Sequence, residues 1–194
     1  QMTARALRRT LHSDGDDFPE LLEELRFFFR APVENQRVRA VPGAGLNIPI
    51  WLLGSSDFSA RLAGRLGLPF AFAGHFSPEY ILPALKLYRE TFKASDELEK
   101  PYAMLAMNLV AADTDAEARF LATTQFQSFL RLMRGMPGEM QPPVEDMDEL
   151  WTAQEKAAVE SRLGGSIIGG AATVKSGLEK VLAETNADEL MLNA

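Results

Sequence analysis

Residues 48–76 are the stretch that most limits what this chain can fold into. An apolar run over 49–53 is followed by Gly54-Ser55-Ser56, a helical pattern over about 58–66, and a second apolar run over 69–73. Gly67 is expected to end the helix in the left-handed conformation. A strand, a helix and a second strand in this order predict a βαβ unit with parallel strands. The Gly-Ser-Ser turn then lies at the carboxyl end of the first strand, where parallel α/β folds bind ligands.

Composition excludes several classes of protein. The chain has 194 residues, 46% of them hydrophobic and 24% charged, which predicts one folded domain over 1–194. A net charge of -7 argues against a nucleic-acid surface. The absence of cysteine and the presence of only two histidines exclude thiolate and histidine-rich metal sites. No apolar run approaches the roughly 20 residues of a spanning helix, so we expect a cytoplasmic protein with no membrane partner.

The rest of the chain repeats the alternation of strands and helices. Further strands are predicted over 103–111 and 188–192, and helices over 3–11, 17–29, 77–92, 113–133 and 173–183. Residues 134–165 form a loop and helical insertion before the last strand, with the helix expected over 146–163. The glycine-rich run 164–170 resembles a phosphate-binding loop but lacks the ending of a P-loop. As a lone signal it is weak.

Four parallel strands predict half of a TIM (β/α)8 barrel. A barrel needs eight strands to fill its interior with layers of side chains. Four strands would leave two unpaired sheet edges. We therefore expect either an upstream half outside this sequence or two chains that complete one another, and hence a homo-oligomer.

Several motifs, in this order and at this spacing, closely resemble the bacterial luciferase-like monooxygenase family, in particular its single-chain flavin-dependent branch. The matching runs are 4–9, 17–19, 50–56, 59–60, 67–73, 75–76, 88–89 with 92, 112–115 with 117–118, and 188–191. The resemblance covers the whole chain. It implies a luciferase-like TIM barrel of which this chain supplies about the second half, strands five to eight.

The resemblance also implies the cofactor and its binding residues. Members of the family bind reduced FMN, or a deazaflavin coenzyme in some branches, with the phosphate near the turn after the fifth strand. Gly54, Ser55, Ser56 and Ser59 are accordingly assigned to phosphate recognition. The residue types agree, because glycine permits close approach, serine hydroxyls donate to phosphate, and a helix amino terminus favours an anion. A second interpretation stays open, in which a serine merely caps the following helix.

His75 is the candidate catalytic residue. It follows the second strand of the βαβ unit, at the end of the barrel where TIM-barrel active sites form. It would serve as a proton donor or polar contact to flavin or substrate, although a lone histidine is also a common structural hydrogen-bonding residue. Asn108, the one strongly polar side chain of its strand, is a weaker candidate for the same end of the barrel.

The implied activity is oxidation of a small organic substrate by reduced FMN and oxygen, with a separate flavin reductase as a candidate partner. The cofactor would supply the chemistry and the protein would supply orientation and a dry pocket. The alternative is a non-catalytic flavin-binding or dimerising half-barrel protein.

Overall fold

The computed structural model describes residues 17–194, which fall into two compact units divided after Ile50. In the first unit, helix α1 spans Phe18–Phe29, with a proline in its first turn and Leu22 buried. The chain beyond it turns back, so that the main-chain amide of Gly45 donates to Phe29 O at 2.9 Å. The helix predicted over 17–29 is confirmed, and the one predicted over 3–11 lies outside the described residues.

The second unit, Trp51–Ala194, alternates strands with helices. In chain order its elements are β1 (Leu52–Gly54), α2 (Asp57–Leu66), β2 (Phe70–Ala73), a 3-10 turn (Pro78–Tyr80), α3 (Ile81–Thr91), β3 (Ala103–Ala111), α4 (Asp115–Met133), α5 (Ala153–Leu163), β4 (Ile167–Gly169), α6 (Ala171–Thr185) and β5 (Glu189–Asn193). Gly67 ends α2 at φ 65°, as predicted.

All strand pairs of the sheet are parallel, and β3 lies at its centre. β1 pairs with β2, and β2 pairs with the first part of β3. The other edge of β3 is shared, because β5 pairs along 104–108 and β4 pairs along 109–111. The four predicted strands therefore lie side by side in chain order, which confirms the parallel α/β prediction. The first strand begins at Leu52, later than the predicted start at 49.

Strand β4 was not predicted. Its three residues lie inside the glycine-rich run that the sequence suggests as a loop. Such a short strand has no periodicity of its own, and it forms because its main chain pairs with the end of β3.

The sheet has two distinct faces. Strand residues alternate between them, and partners in a parallel pair point to the same side. Phe70, Phe72, Leu105 and Met107 are buried on the helix-covered face, where the Phe70 ring lies 5.3 Å from the ring of Tyr88 in α3. The second face carries Leu53, Ala71, Ala73, Met104, Ala106, Asn108, Met191 and Asn193.

The connection from α4 to α5 is longer than the sequence predicts. Residues 134–152 contain no regular helix, and α5 begins at Ala153 rather than at 146. Thr152 and Glu155 form a capping box at its start. Arg134 reaches across this connection and donates two hydrogen bonds to the Glu155 carboxylate, at 2.8 and 3.0 Å.

Candidate functional site

The predicted site residues lie at one edge of the sheet. Because β1, β2, β3 and β5 are parallel, their carboxyl ends meet there. Gly54 ends β1, His75 follows β2, and Asn108 lies near the end of β3. The three segments come from neighbouring strands, so the fold brings the sequence-predicted residues to one place.

The turn after β1 requires glycine at position 54. A Cβ on Gly54 would overlap the hydroxyl oxygen of Ser59 and lie 2.6 Å from its Cβ. Ser59 is buried, and its hydroxyl donates to Ser56 O at 3.0 Å. Ser59 thus fixes the main chain of the turn through its hydrogen bond to Ser56 O.

The amino terminus of α2 has no side-chain cap. Ser56 occupies the N-cap position with an extended backbone, φ −139° and ψ 165°, yet its hydroxyl accepts no hydrogen bond from the helix. The first-turn amides have no acceptor within the helix either. The hydroxyls of half-buried Ser55 and exposed Ser56 have no hydrogen-bond partner in the described part of the chain. The structure therefore does not support the interpretation in which a serine side chain caps this helix.

Strand β2 ends in a tight turn that places His75 against β3. The Gly74 amide donates to Phe72 O at 3.0 Å, and the His75 amide donates to Ala106 O at 3.1 Å. A Cβ on Gly74 would lie 2.8 Å from both Ala106 O and the Leu105 side chain, so this turn also needs glycine.

The His75 side chain carries an unpartnered polar atom. Its Nδ1 is buried and has no hydrogen-bond partner in the structure as described. The imidazole lies 4.1 Å from the Phe76 ring at an angle of 50°, and Phe76 itself is 54% exposed. A buried nitrogen without a partner is costly, so it is a natural contact point for a ligand.

Asn108 is paired with a residue that the sequence analysis does not identify. Asn193 Nδ2, at the end of β5, donates to Asn108 Oδ1 at 3.0 Å. The two residues are direct partners in the β3–β5 register, and Asn108 is only 5% exposed. This pairing follows from the strand register, which no local sequence signal reveals.

At the glycine-rich run 164–170, a carboxylate of the protein itself accepts the hydrogen bonds that a bound anion would accept. Asp115 Oδ1 accepts the Gly170 amide at 2.6 Å, and Asp115 Oδ2 accepts the Thr173 hydroxyl at 3.0 Å. These two hydrogen bonds lower the pKa of the Asp115 carboxyl. A carboxylate already fills the place that a phosphate would take, which argues against a second phosphate site here.

A groove of about 390 Å³ lies between α4, the 144–151 segment and α5. Its lining includes Phe126, Trp151 and the Asp148–Lys156 ion pair, in which the two charges are 2.8 Å apart. None of the predicted site residues lines this groove. Among residues 17–194, no group of three or more acidic or histidine side chains could hold a metal ion. The helices within 17–194 all lack the long apolar stretch that a membrane span requires.

The fold defines a class of protein: a parallel (β/α) barrel-type chain, with the predicted site residues at the carboxyl ends of its strands. The sequence profile of the luciferase-like monooxygenase family matches residues 4–189. The chain belongs to the luciferase-like monooxygenase family.

Individual relatives agree with this assignment. The chain is 57% identical over 196 residues to the uncharacterized protein YvbT of Bacillus subtilis, a match that covers 100% of this chain and 58% of the relative. It is 49% identical over 193 residues to a luciferase-like monooxygenase of Escherichia coli, again covering 58% of that protein. The chain thus spans little more than half the length of the curated relatives it matches.

Solved structures show the same fold. Apo-MsnO8 superimposes with a TM-score of 0.76 at 26% identity, over 99% of this chain and 58% of that one. The oxygenating component of 3,6-diketocamphane monooxygenase from Pseudomonas putida, solved in complex with FMN, gives a TM-score of 0.58 at 16% identity, over 99% and 60% of the two chains. The family and these structures confirm the predicted luciferase-like barrel fold.

Proposed function

We propose that the protein carrying this chain is a flavin-dependent monooxygenase that uses reduced FMN and oxygen to oxidise a small organic substrate. The observation that carries the proposal is the uncapped amino terminus of α2, which follows Gly54 and the two unpartnered serines 55 and 56. Free helix amides with hydroxyl donors beside them suit a phosphate monoester.

The residues present fit the cofactor at its phosphate end. Gly54 lets the ligand approach the main chain closely, and Ser55 and Ser56 offer hydroxyl donors. Ser59, also assigned to phosphate recognition, is buried and hydrogen-bonded to Ser56 O, so it would act by holding the turn in shape. Asp57 is exposed at the first position of the helix, where it can turn towards solvent.

His75 is the proposed catalytic residue. Its buried Nδ1 would form a hydrogen bond with the cofactor or the substrate, or transfer a proton to or from one of them. Bound reduced FMN would supply electrons to oxygen, and a separate flavin reductase would supply reduced FMN. The residues of the chain would bind the phosphate, orient the ring system and exclude water. A deazaflavin coenzyme is the alternative cofactor.

A second candidate is a non-catalytic flavin-binding or dimerising protein. It is favoured by the exposure of Leu53 and Met191 on the second face of the sheet, at 62% and 49%. Apolar side chains at this level of exposure suit a protein surface that becomes covered in an assembly.

Flavin titration of the intact protein tests the proposal. FMN, riboflavin and a deazaflavin coenzyme are titrated by quenching of flavin fluorescence, and oxygen uptake is followed with a flavin reductase present. We expect FMN to bind more tightly than riboflavin, since riboflavin lacks the phosphate. Ser55→Ala combined with Ser56→Ala should abolish this preference, whereas Ser161→Ala on exposed α5 should leave it unchanged.

The outcomes separate the two candidates. Binding of FMN with oxygen uptake above that of the reductase and FMN alone, an increase that His75→Gln abolishes, supports the monooxygenase. Binding without any increase in oxygen uptake over that background favours the non-catalytic alternative. Preferential binding of the deazaflavin would identify it, rather than FMN, as the cofactor. An intact protein that binds none of the three overturns the proposal.

A further inference from the structure

Among the strand residues, the second face of the sheet is apolar near its carboxyl edge except for one pair, Asn108 and Asn193. The neighbours of Asn108 on that face are Ala73, Ala106 and Met191, all hydrophobic. Ala73 and Ala106 are only 2% exposed. Asn108 itself is 5% exposed, so it is a polar side chain set among apolar neighbours.

Only half of the Asn108 amide is satisfied within the described residues. Its Oδ1 accepts the hydrogen bond from Asn193, while its Nδ2 makes no hydrogen bond to any residue of 17–194 and is not fully buried. Asn193 is more exposed than Asn108 and lies at the rim. The hydrogen bond from Asn193 fixes the side-chain oxygen of Asn108 towards β5. The two N–H groups of the Asn108 amide are left available to a ligand.

The position of this amide matches the length of the proposed cofactor. Asn108 lies on β3, two strands from the turn that ends β1, and adjacent strands are about 5 Å apart, so the two features are separated by about 10 Å across the sheet. In FMN, a five-carbon chain separates the phosphate from a ring system rich in carbonyl and nitrogen acceptors. A phosphate bound at Ser55 and Ser56 therefore leaves the ring system within reach of β3.

We infer that Asn108 donates a hydrogen bond from its side-chain amide to an acceptor atom of the flavin ring system, and that Asn193 is a positioning residue that fixes the amide by binding its oxygen. This inference rests on the proposed function. It assigns the ring end of the ligand a polar contact, whereas the turn at Gly54 serves the phosphate end. The surrounding alanines leave the ring room and provide no competing donor.

The test compares FMN with riboflavin in the intact protein. Asn108→Leu removes the donors at similar volume and should weaken both ligands by the same factor, about 10-fold. Ser55→Ala with Ser56→Ala should weaken FMN alone. Asn108→Leu should also change the absorption spectrum of bound flavin, a signature that a purely structural role would not produce.

Two further variants keep the test decisive if Asn108→Leu folds poorly. Asn193→Asp replaces the donor that holds Asn108 Oδ1 by an acceptor, so the Asn108 amide should turn towards β5 and lose the ligand. Asn193→Gln keeps a donor and should retain part of the affinity. Gln154→Leu, on α5, is the control for an added leucine.

Each outcome decides the inference. Equal weakening of FMN and riboflavin by Asn108→Leu and by Asn193→Asp supports it. Unchanged affinity for both flavins in a folded Asn108 variant overturns it while leaving the proposed function intact. Failure of the unsubstituted protein to bind any flavin overturns the proposed function itself.

Discussion

The carboxylate of Asp115 accepts a hydrogen bond of 2.6 Å from the main-chain amide of Gly170, 55 residues further along the chain. Asp115 is the first residue of α4, and Gly170 is the N-cap of α6. The bond therefore joins the starts of two helices at the carboxyl edge of the sheet. It explains why a glycine-rich run that resembles an anion site needs no external anion.

Removing this carboxylate should destabilise the start of α6. Asp115→Ala leaves the Gly170 amide without an acceptor, so we expect a lower thermal unfolding midpoint by differential scanning calorimetry. Thr173→Ala, which removes the second donor to Asp115, should have a smaller effect. Exposed Asp113 provides the control, since Asp113→Ala removes a charge of the same sign close by. An equal midpoint for Asp115→Ala and Asp113→Ala would contradict the link.

Gly54 should tolerate no side chain while Ser59 is present. Gly54→Ala is expected to lower the free energy of unfolding by about 1–3 kcal/mol, because the new Cβ overlaps Ser59. Combining it with Ser59→Gly should restore part of the loss relative to the sum of the two single changes. Urea denaturation of the four proteins in this cycle measures the coupling. Additive losses would show that the overlap is not the cause.

The Tyr88 hydroxyl connects the beginnings of two strands. Its oxygen donates to Leu68 O at 2.9 Å and accepts the Tyr102 amide at 3.0 Å, and the side chain is fully buried. Tyr88→Phe leaves both main-chain groups without this partner, so we expect a loss of about 1–3 kcal/mol in chemical denaturation. Tyr80→Phe, at an exposed tyrosine, should change stability little. Equal effects at the two sites would refute the role of the hydroxyl.

The Glu155–Arg134 pair predicts a specific acid response. Hydrogen bonding from Arg134, followed by that from the Thr152 amide, lowers the pKa of Glu155 to about 2 from 4.5. Since the folded-state pKa is depressed, the pair stabilises the protein fully above about pH 4.5, and this contribution is lost as the pH falls through about 2.

The measurement compares the native protein with Arg134→Gln. The difference in their unfolding midpoints should be constant near neutral pH and shrink steadily between about pH 4.5 and 2. A difference that stays constant down to pH 2 would show that Glu155 does not titrate as the pair requires. Lys86→Gln, at an exposed i,i+4 pair, is the matched control and should show no such trend.

Most of the local structure could be predicted from the sequence. The helix ended by Gly67 and the helix predicted over 113–133, observed over Asp115–Met133, both form over nearly the expected residues, because capping residues and helical periodicity act within a few residues. The predicted start of α5, at 146 rather than Ala153, was wrong by about two turns, since the capping box at Thr152 outweighs the helical pattern that precedes it. The cluster at the carboxyl edge was predictable because parallel strands have their ends on one side.

The contacts between residues far apart in the sequence were not predictable. Asn193 contacts Asn108 only because β5 pairs with the first part of β3. Strand β4 forms only because β5 leaves residues 109–111 of β3 free to pair with 167–169. Asp115 reaches Gly170 for the same reason.

The sequence by itself determined the order of the longer strands and helices, the glycine turns and the family of the chain, because these depend on local residue patterns. Only the tertiary structure decided that the α2 amino terminus is uncapped, that Asp115 fills the second glycine-rich run, and that Asn193 holds Asn108. The physical reason is that a side chain takes the nearest available hydrogen-bond partner in space, and strand register sets which partner that is.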